Sequence, residues 1–328
     1  MARSHLTLAA LATSAVADLD VVGAQSFGAP GGDFDSAILT GRDGRHWIVR
    51  VPRSERAEQE QSADLIALRA LSAGVRARLP FTVSTFAGQV PVDGTRAVVS
   101  EFVYGSKVPL GSMSTALAAS VGAAIAAIHS LPPTVVVDAG LPSQSPVEAL
   151  REVVSVMDRA AATGLVPAAL LSRWERASEE PTLWQFTPTV VNGSLGSDSF
   201  LSANDEVTGV IGWHALRVGD PAGDLQWLAG SGLEVADAAF AAYASVRGSV
   251  DRQLRTRAGL LSELEVARWL LHGVETRDQT VVDDAVQMLS TIVDEVQKDL
   301  MSPIAERPTG PLDVDQVEEL LERTSHMR

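Results

Sequence analysis

The sequence predicts an α+β protein in two unequal parts: a small antiparallel sheet with one main helix against it, then a larger, mostly helical part. Three observations carry this. From Val21 to Phe102 the pattern is strand-like, and Asp43-Gly44 is a strong hairpin signal between "FDSAILTG" and "RHWIVRVP". A single apolar stripe at helical spacing, Leu65, Leu68, Leu71 and Val75, interrupts those strands. Beyond Tyr104-Gly105 helical patterns run to about Leu300, broken by one short β stretch.

The N-terminal run "LTLAALATSAVADL" has a passable leader-type cleavage pattern at Ala15-Val16-Ala17. Leu8, Leu11, Ala15 and Leu19 recur at helical spacing, and a packed amphipathic helix in a cytoplasmic protein is the expectation. After the first hairpin, polar "RSERAEQEQ" leads into the helix, and "FTVSTFAGQVPV" and "RAVVSEFV" read as two further strands. "STALAASVGAAIAAIHSL" is a small-residue helix that must be buried. His129 near its end is expected to cap it, because a helix C-terminus favours a cation. Helices follow over "PVEALREVVSVMDRAAATG" and "PAALLSRWERASEE", then the β stretch "TPTVVNGSL" to "DSFLSANDEVTGVIGWH", then helix again from "DLQWLAG". The expected divisions are residues 1–102, 103–300, and a linker with a short charged helix over 301–328. Leu312, Val317, Leu320 and Leu321 on that last helix are expected to pack back onto the body.

Composition narrows the function classes. With 328 residues and 46% apolar content, the chain can bury one large core or two. Net charge of −15 argues against broad contact with nucleic acid or an anionic membrane, and no run approaches the ~20 apolar residues of a membrane span. The absence of cysteine removes disulfides, thiolate metal sites and a thiol nucleophile, and the six scattered histidines lack metal spacing. Gly23, Gly28, Gly31 and Gly32 suggest a glycine-bearing hairpin. Pro30, and the lack of any G-K-S/T, exclude a Walker-type loop. Trp174, Trp184, Trp213, Trp227 and Trp269 are expected in the core, with Trp213 a candidate to touch a ligand.

The centre of the chain holds a recognisable frame. Asn192-Gly193-Ser194 is followed five residues later by Ser199, and "VTGVIGWHALRVGDPAGDL" then forms a strand, a turn and a Gly-Asp-Pro segment. These stretches resemble the aminoglycoside and macrolide phosphotransferases, antibiotic kinases of protein-kinase-like bilobal fold, whose versions run like "HGDLHPGNVLV" and "GVIDWGDAGVGDPAYDLA". "GGDFDSAILTGRDGRHWIVRVPR" (Gly31 to Arg53) is similar to the second and third strands of the macrolide branch, and "AAIAAIHSLP" to the first large-lobe helix. The likeness spans about Val21 to Leu300 and implies a nucleotide-binding type of small lobe.

Carried over by position, the resemblance puts Ser194 at the place of the catalytic Asp and Asn192 at that of the loop His. Ser199 and Gly212 occupy the places of the metal-binding Asn and Asp, so no metal ligand is intact. Arg50 stands where a cation contacts nucleotide phosphates, with Asp64 as its helix partner and Glu60 and Gln61 as rival registers. Asp220 and Asp224 match acids that organise the loop. Asp198, Asp205 and Glu206 are the neighbouring acids that could replace a metal ligand, and His214 the neighbouring base. The expectation is a catalytically degenerate pseudokinase that binds a small molecule in the interlobe cleft, or a partner. The alternatives are an active enzyme using Mg and ATP or GTP on a hydroxyl of a macrolide, aminoglycoside or metabolite, and a protein-binding module built on the C-terminal helix.

Overall fold

The computed structural model describes residues 3–28, 31–248 and 251–301. Helix α1 (His5–Ala15) starts at Ser4, whose side chain accepts the N–H of Thr7, and buries Leu8 and Ala12. The leader-like run is therefore a packed helix as far as Ala15, and Leu19 of the expected stripe lies beyond its end. It lies on one face of the sheet formed by β1 (Val21–Phe27), β2 (Phe34–Gly41) and β3 (His46–Pro52) with two later strands.

The chain then forms α2 (Glu55–Ala70), α3 (Ala73–Arg76), β4 (Thr82–Val83), β5 (Phe86–Val92) and β6 (Thr95–Glu101). Strand order in the antiparallel sheet is β1-β2-β3-β6-β5. Alternation sends Ala37, Leu39, Trp47, Val49, Val51, Ala97 and Val99 to the α1 face, where they form a core of their own. Ser36, Arg50 and Val98 fall opposite one another on the other face.

The stretch "FTVSTFAGQVPV" departs from the single strand expected of it. Thr82–Val83 pairs in parallel with a strand of the large lobe, and only Phe86–Val92 joins the small sheet. The bend is held by Arg76, whose Nη1 donates to the carbonyls of Val83 at 3.2 Å and Ser84 at 2.8 Å. Backbone groups that a continuous strand would pair are satisfied by a side chain instead.

The large lobe runs α4 (Thr115–His129), α5 (Thr134–Val137), α6 (Pro146–Ala162), α7 (Ala168–Glu179), β7 (Thr189–Val191), β8 (Phe200–Ala203), β9 (Glu206–Val210), β10 (Arg217–Gly219), α8 (Leu233–Arg247), α9 (Leu254–Thr276) and α10 (Gln279–Met301). The small residues of α4 let α8 approach closely: a Cβ on Gly122 would lie 2.0 Å from the Ala239 carbonyl oxygen. Trp174, Trp184 and Trp213 are buried as expected, and Trp227 is half-buried. Trp269 is not core: it is 39% exposed, stacked on His272 and bonded to Asp284. The helix expected at the C-terminus lies outside the described residues.

Candidate functional site

Strands β7 and β10 form a two-stranded antiparallel ribbon, with Thr189 opposite Gly219 and Val191 opposite Arg217. The loop leaving β7 is held from behind by Asp224, which is fully buried. Its carboxylate accepts the backbone N–H groups of Asn192 and Gly193, each at 2.7 Å. Charge-assisted bonds of this kind are short and strong in a dry interior. Asp220 pairs with the buried guanidinium of Arg257 at 2.7 and 2.9 Å and also accepts the Ala222 N–H. Both acids thus lie behind the loop and face the protein.

His129 does not cap its helix. Its Nε2 meets Asp224 at 3.1 Å and its Nδ1 meets the Tyr243 hydroxyl at 2.8 Å, all three residues being buried. Packing of α4 against α8 turns the imidazole inward, so its partners are side chains rather than carbonyls of its own last turn. Burial pushes the Tyr243 phenol up to about 12, with Arg247 opposing the shift.

On the cleft side the loop positions are engaged with one another. Asn192 is fully buried, and its Nδ2 donates to the Gly212 carbonyl at 2.9 Å. Its Oδ1 accepts the Ser194 N–H at 3.2 Å and the Ser194 hydroxyl at 3.1 Å. The Ser199 hydroxyl is buried and accepts the Gly196 N–H at 3.2 Å, closing the turn before β8. Gly212 has a left-handed backbone, φ 75°, and a Cβ there would meet nothing within 4 Å. Asn192 therefore ties together the turns that carry Ser194 and Gly212.

The small lobe contributes Arg50 and Asp64. The Arg50 guanidinium lies over the Phe34 ring at 3.8 Å, and burial lowers its pKa while Asp64 and Glu60 oppose the shift. Asp64 faces Arg50 without a direct ion pair among the described residues; its Oδ1 instead accepts the Trp213 N–H at 2.6 Å. Burial raises the Asp64 carboxyl, and the Trp213 N–H and Arg50 pull it back down. Of the rival registers, Glu60 lies 3.9 Å from His214, and Gln61 is buried and donates to the Arg96 carbonyl. The Trp213 indole is buried against Phe81 and donates to the Val210 carbonyl, so it does not face a ligand.

This donor set does not suit Mg²⁺. A hard divalent cation takes carboxylate and carbonyl oxygens in a near-octahedral shell. Here the two serine hydroxyls are used within the loop and Gly212 has no side chain. Asp198 is exposed and lies 3.8 Å from Lys107, while Asp205 accepts the Ser114 hydroxyl. Among the described residues, no group of three or more acids or histidines could hold a metal ion.

A family model described as "Phosphotransferase enzyme family" matches residues 27–270. The chain belongs to that family. Solved structures agree on the fold. The apoenzyme of macrolide 2'-phosphotransferase MphH from Brachybacterium faecium aligns with TM-score 0.72 at 21% identity, covering 87% of this chain and 98% of its own. A macrolide 2'-phosphotransferase type I aligns at 0.69 with 25% identity, over 88% and 98%. A GDP complex of aminoglycoside 2'-phosphotransferase-IIIa aligns at 0.69 with 19% identity, also over 88% and 98%. No curated protein matches in sequence. The chain is thus a phosphotransferase-family protein with a protein-kinase-like α+β fold. No helix among its described residues is long and apolar enough to cross a membrane.

Sequence reasoning missed three features of this site: the Asp64–Trp213 bond, the Tyr243–His129–Asp224 chain and Arg217 beside Gly193. Only the last has a sequence signal. Arg217 stands where the family stretch quoted above has glycine.

Proposed function

We propose that this protein is a catalytically degenerate member of the phosphotransferase family, a pseudokinase that binds a small molecule in the interlobe cleft without transferring phosphate. One observation carries the reading: the three positions expected to take a proton and hold metal are two serines bonded within their own loop and a glycine. A serine hydroxyl is a far weaker base than a carboxylate near neutral pH, and general-base assistance is worth roughly 10²–10⁴-fold. Metal stabilisation of phosphoryl oxygens adds several kcal/mol, and the two act as a unit. Loss of all three groups leaves a folded cleft without its chemistry.

The test is a phosphorylation assay of the unmodified chain with Mg-ATP and with Mg-GTP against a panel of macrolides and aminoglycosides. No product is expected, and turnover would overturn the reading. The second reading, an active phosphotransferase using Mg and ATP or GTP on a substrate hydroxyl, draws support from Arg50 facing Asp64 under the small-lobe sheet. That reading requires a clear magnesium-dependent rise in melting temperature with nucleotide; a hundredfold excess over Kd stabilises by about 2.7 kcal/mol.

A further inference from the structure

Arg217 lies on β10, and its side chain reaches across the ribbon to the loop that follows β7. Its Nε is 3.4 Å from where a Cβ on Gly219 would stand, and its Nη1 3.2 Å from where a Cβ on Gly193 would stand. Glycine at both places leaves room for the guanidinium. The Nε is shut off from solvent and has no hydrogen-bond acceptor among the described residues. Among the described residues no carboxylate comes within ion-pairing distance of it. Asp224, just behind Gly193, already accepts from Asn192, Gly193 and His129.

A second orphan shares that face. Opposed residues of an antiparallel pair point the same way, and alternate residues along a strand do too. Thr189, opposite Gly219, therefore projects on the same side of the ribbon as Arg217. Its hydroxyl is likewise buried, without a partner among the described residues. Native proteins leave few such groups unsatisfied, and each asks for an acceptor. Arg217 keeps part of its surface exposed and neighbouring Ser194 is exposed, so the outer edge of the guanidinium is reachable from solvent beside the loop.

We propose that Arg217 and the adjoining turn Gly193–Ser194 form an oxyanion subsite on the large-lobe floor of the cleft, one that receives the phosphate-ester or carboxylate group of an anionic small molecule without a metal ion. This rests on the degenerate reading. Relative to the family stretches, positions 194 and 212 each lose a carboxylate and position 217 gains a guanidinium. Acids that would grip a cation bridging two negative groups are replaced by a fixed cation that meets the anion directly. Guanidinium suits this role because its two terminal nitrogens, outside the buried Nε, form a planar fork that matches a phosphate or carboxylate with two parallel bonds.

The experiment titrates the full-length chain with inorganic phosphate and, separately, with succinate, in EDTA at constant ionic strength, following heat and melting temperature. At least one should bind saturably: phosphate alone marks a phosphate ester, succinate alone a carboxylate. Arg217→Gln should weaken that binding about tenfold or more, with Arg217→Lys recovering part of the loss. Ser194→Asp, an exposed position, should weaken it by like-charge repulsion, and supplies the readout if the Arg217 variants fold poorly. Failure of both anions to bind in EDTA, a folded Arg217→Gln chain that binds like the parent or, where the Arg217 variants do not fold, a Ser194→Asp chain that does so, would overturn the subsite. Phosphorylation of a macrolide or aminoglycoside in the separate assay would instead overturn the degenerate reading.

Discussion

The carboxylate of Asp64, on α2 of the small lobe, accepts the backbone N–H of Trp213 at 2.6 Å, across 149 positions of sequence. This bond ties the lobe carrying Arg50 to the turn carrying Gly212. Asp64→Ala should leave that N–H unpaired at a cost of about 1–3 kcal/mol, read from denaturant unfolding.

The same carboxyl makes a pH prediction. Burial raises its pKa above the ordinary 3.8, so the folded chain holds this proton more tightly than the unfolded one. Its contribution to stability is full below pH 3.8 and is lost as pH rises through the higher folded value. Asp64→Asn removes the titration while keeping an acceptor oxygen. The stability of the parent relative to this variant should therefore decline as pH climbs from 3.8, and a flat difference would contradict the burial.

Asp224 accepts two loop N–H groups and contacts His129 while fully buried. Asp224→Ala orphans both donors at once and should cost at least about 3 kcal/mol. Hydrogen exchange should accelerate first at Asn192 and Gly193. Equal protection of those amides in variant and parent would show that something else holds the loop.

Tyr243 gives a signature at the alkaline end. Its phenol is pushed from 10.0 to about 12, so its stabilising contribution is complete below pH 10 and fades toward pH 12. Tyr243→Phe should cost about 1 kcal/mol at neutral pH through the lost bond to His129. It should also remove a late-titrating phenol from the ultraviolet absorbance curve. A parent chain whose tyrosines all titrate near 10.0 would refute the packing described for α4 and α8.

Restoring the family's side chains tests the register itself. Ser194→Asp, Ser199→Asn and Gly212→Asp together should produce nucleotide binding that depends on magnesium. The last change enters open space at a left-handed backbone and should cost about 1–2 kcal/mol of stability. The second breaks the Ser199–Gly196 bond, for about 1 kcal/mol more. A folded triple variant that shows no magnesium-dependent shift in melting temperature would mean that these positions are misassigned.

Strand and helix order was legible because periodicity and turn residues act over a few positions: the Asp43-Gly44 hairpin and the small-residue face of α4 appear where their patterns require, and Leu65 and Leu68 of the expected stripe are buried on α2, whereas that helix ends at Ala70 and Val75 falls in the separate short α3. Misreadings arose where a side chain outside the repeating pattern intervened. Arg76 takes carbonyls that would have continued a strand through Ser84, and α8 brings Tyr243 to His129. Trp269 found polar partners on its own face of the surface rather than a place in the core.

By itself the sequence determined the family, and it carries two serines and a glycine at positions where the resemblance implies carboxylates and an amide, with an arginine where the family stretch has glycine. Only the tertiary structure decided that both hydroxyls are already bonded within the loop, that Asp64 belongs to the Trp213 N–H, and that the Arg217 Nε has no acceptor among the described residues. The reason is physical. Which atom accepts a given proton, and how dry that bond is, depends on how a loop turns and on which strands and helices, some as distant in sequence as Asp64 and Trp213, are brought against it.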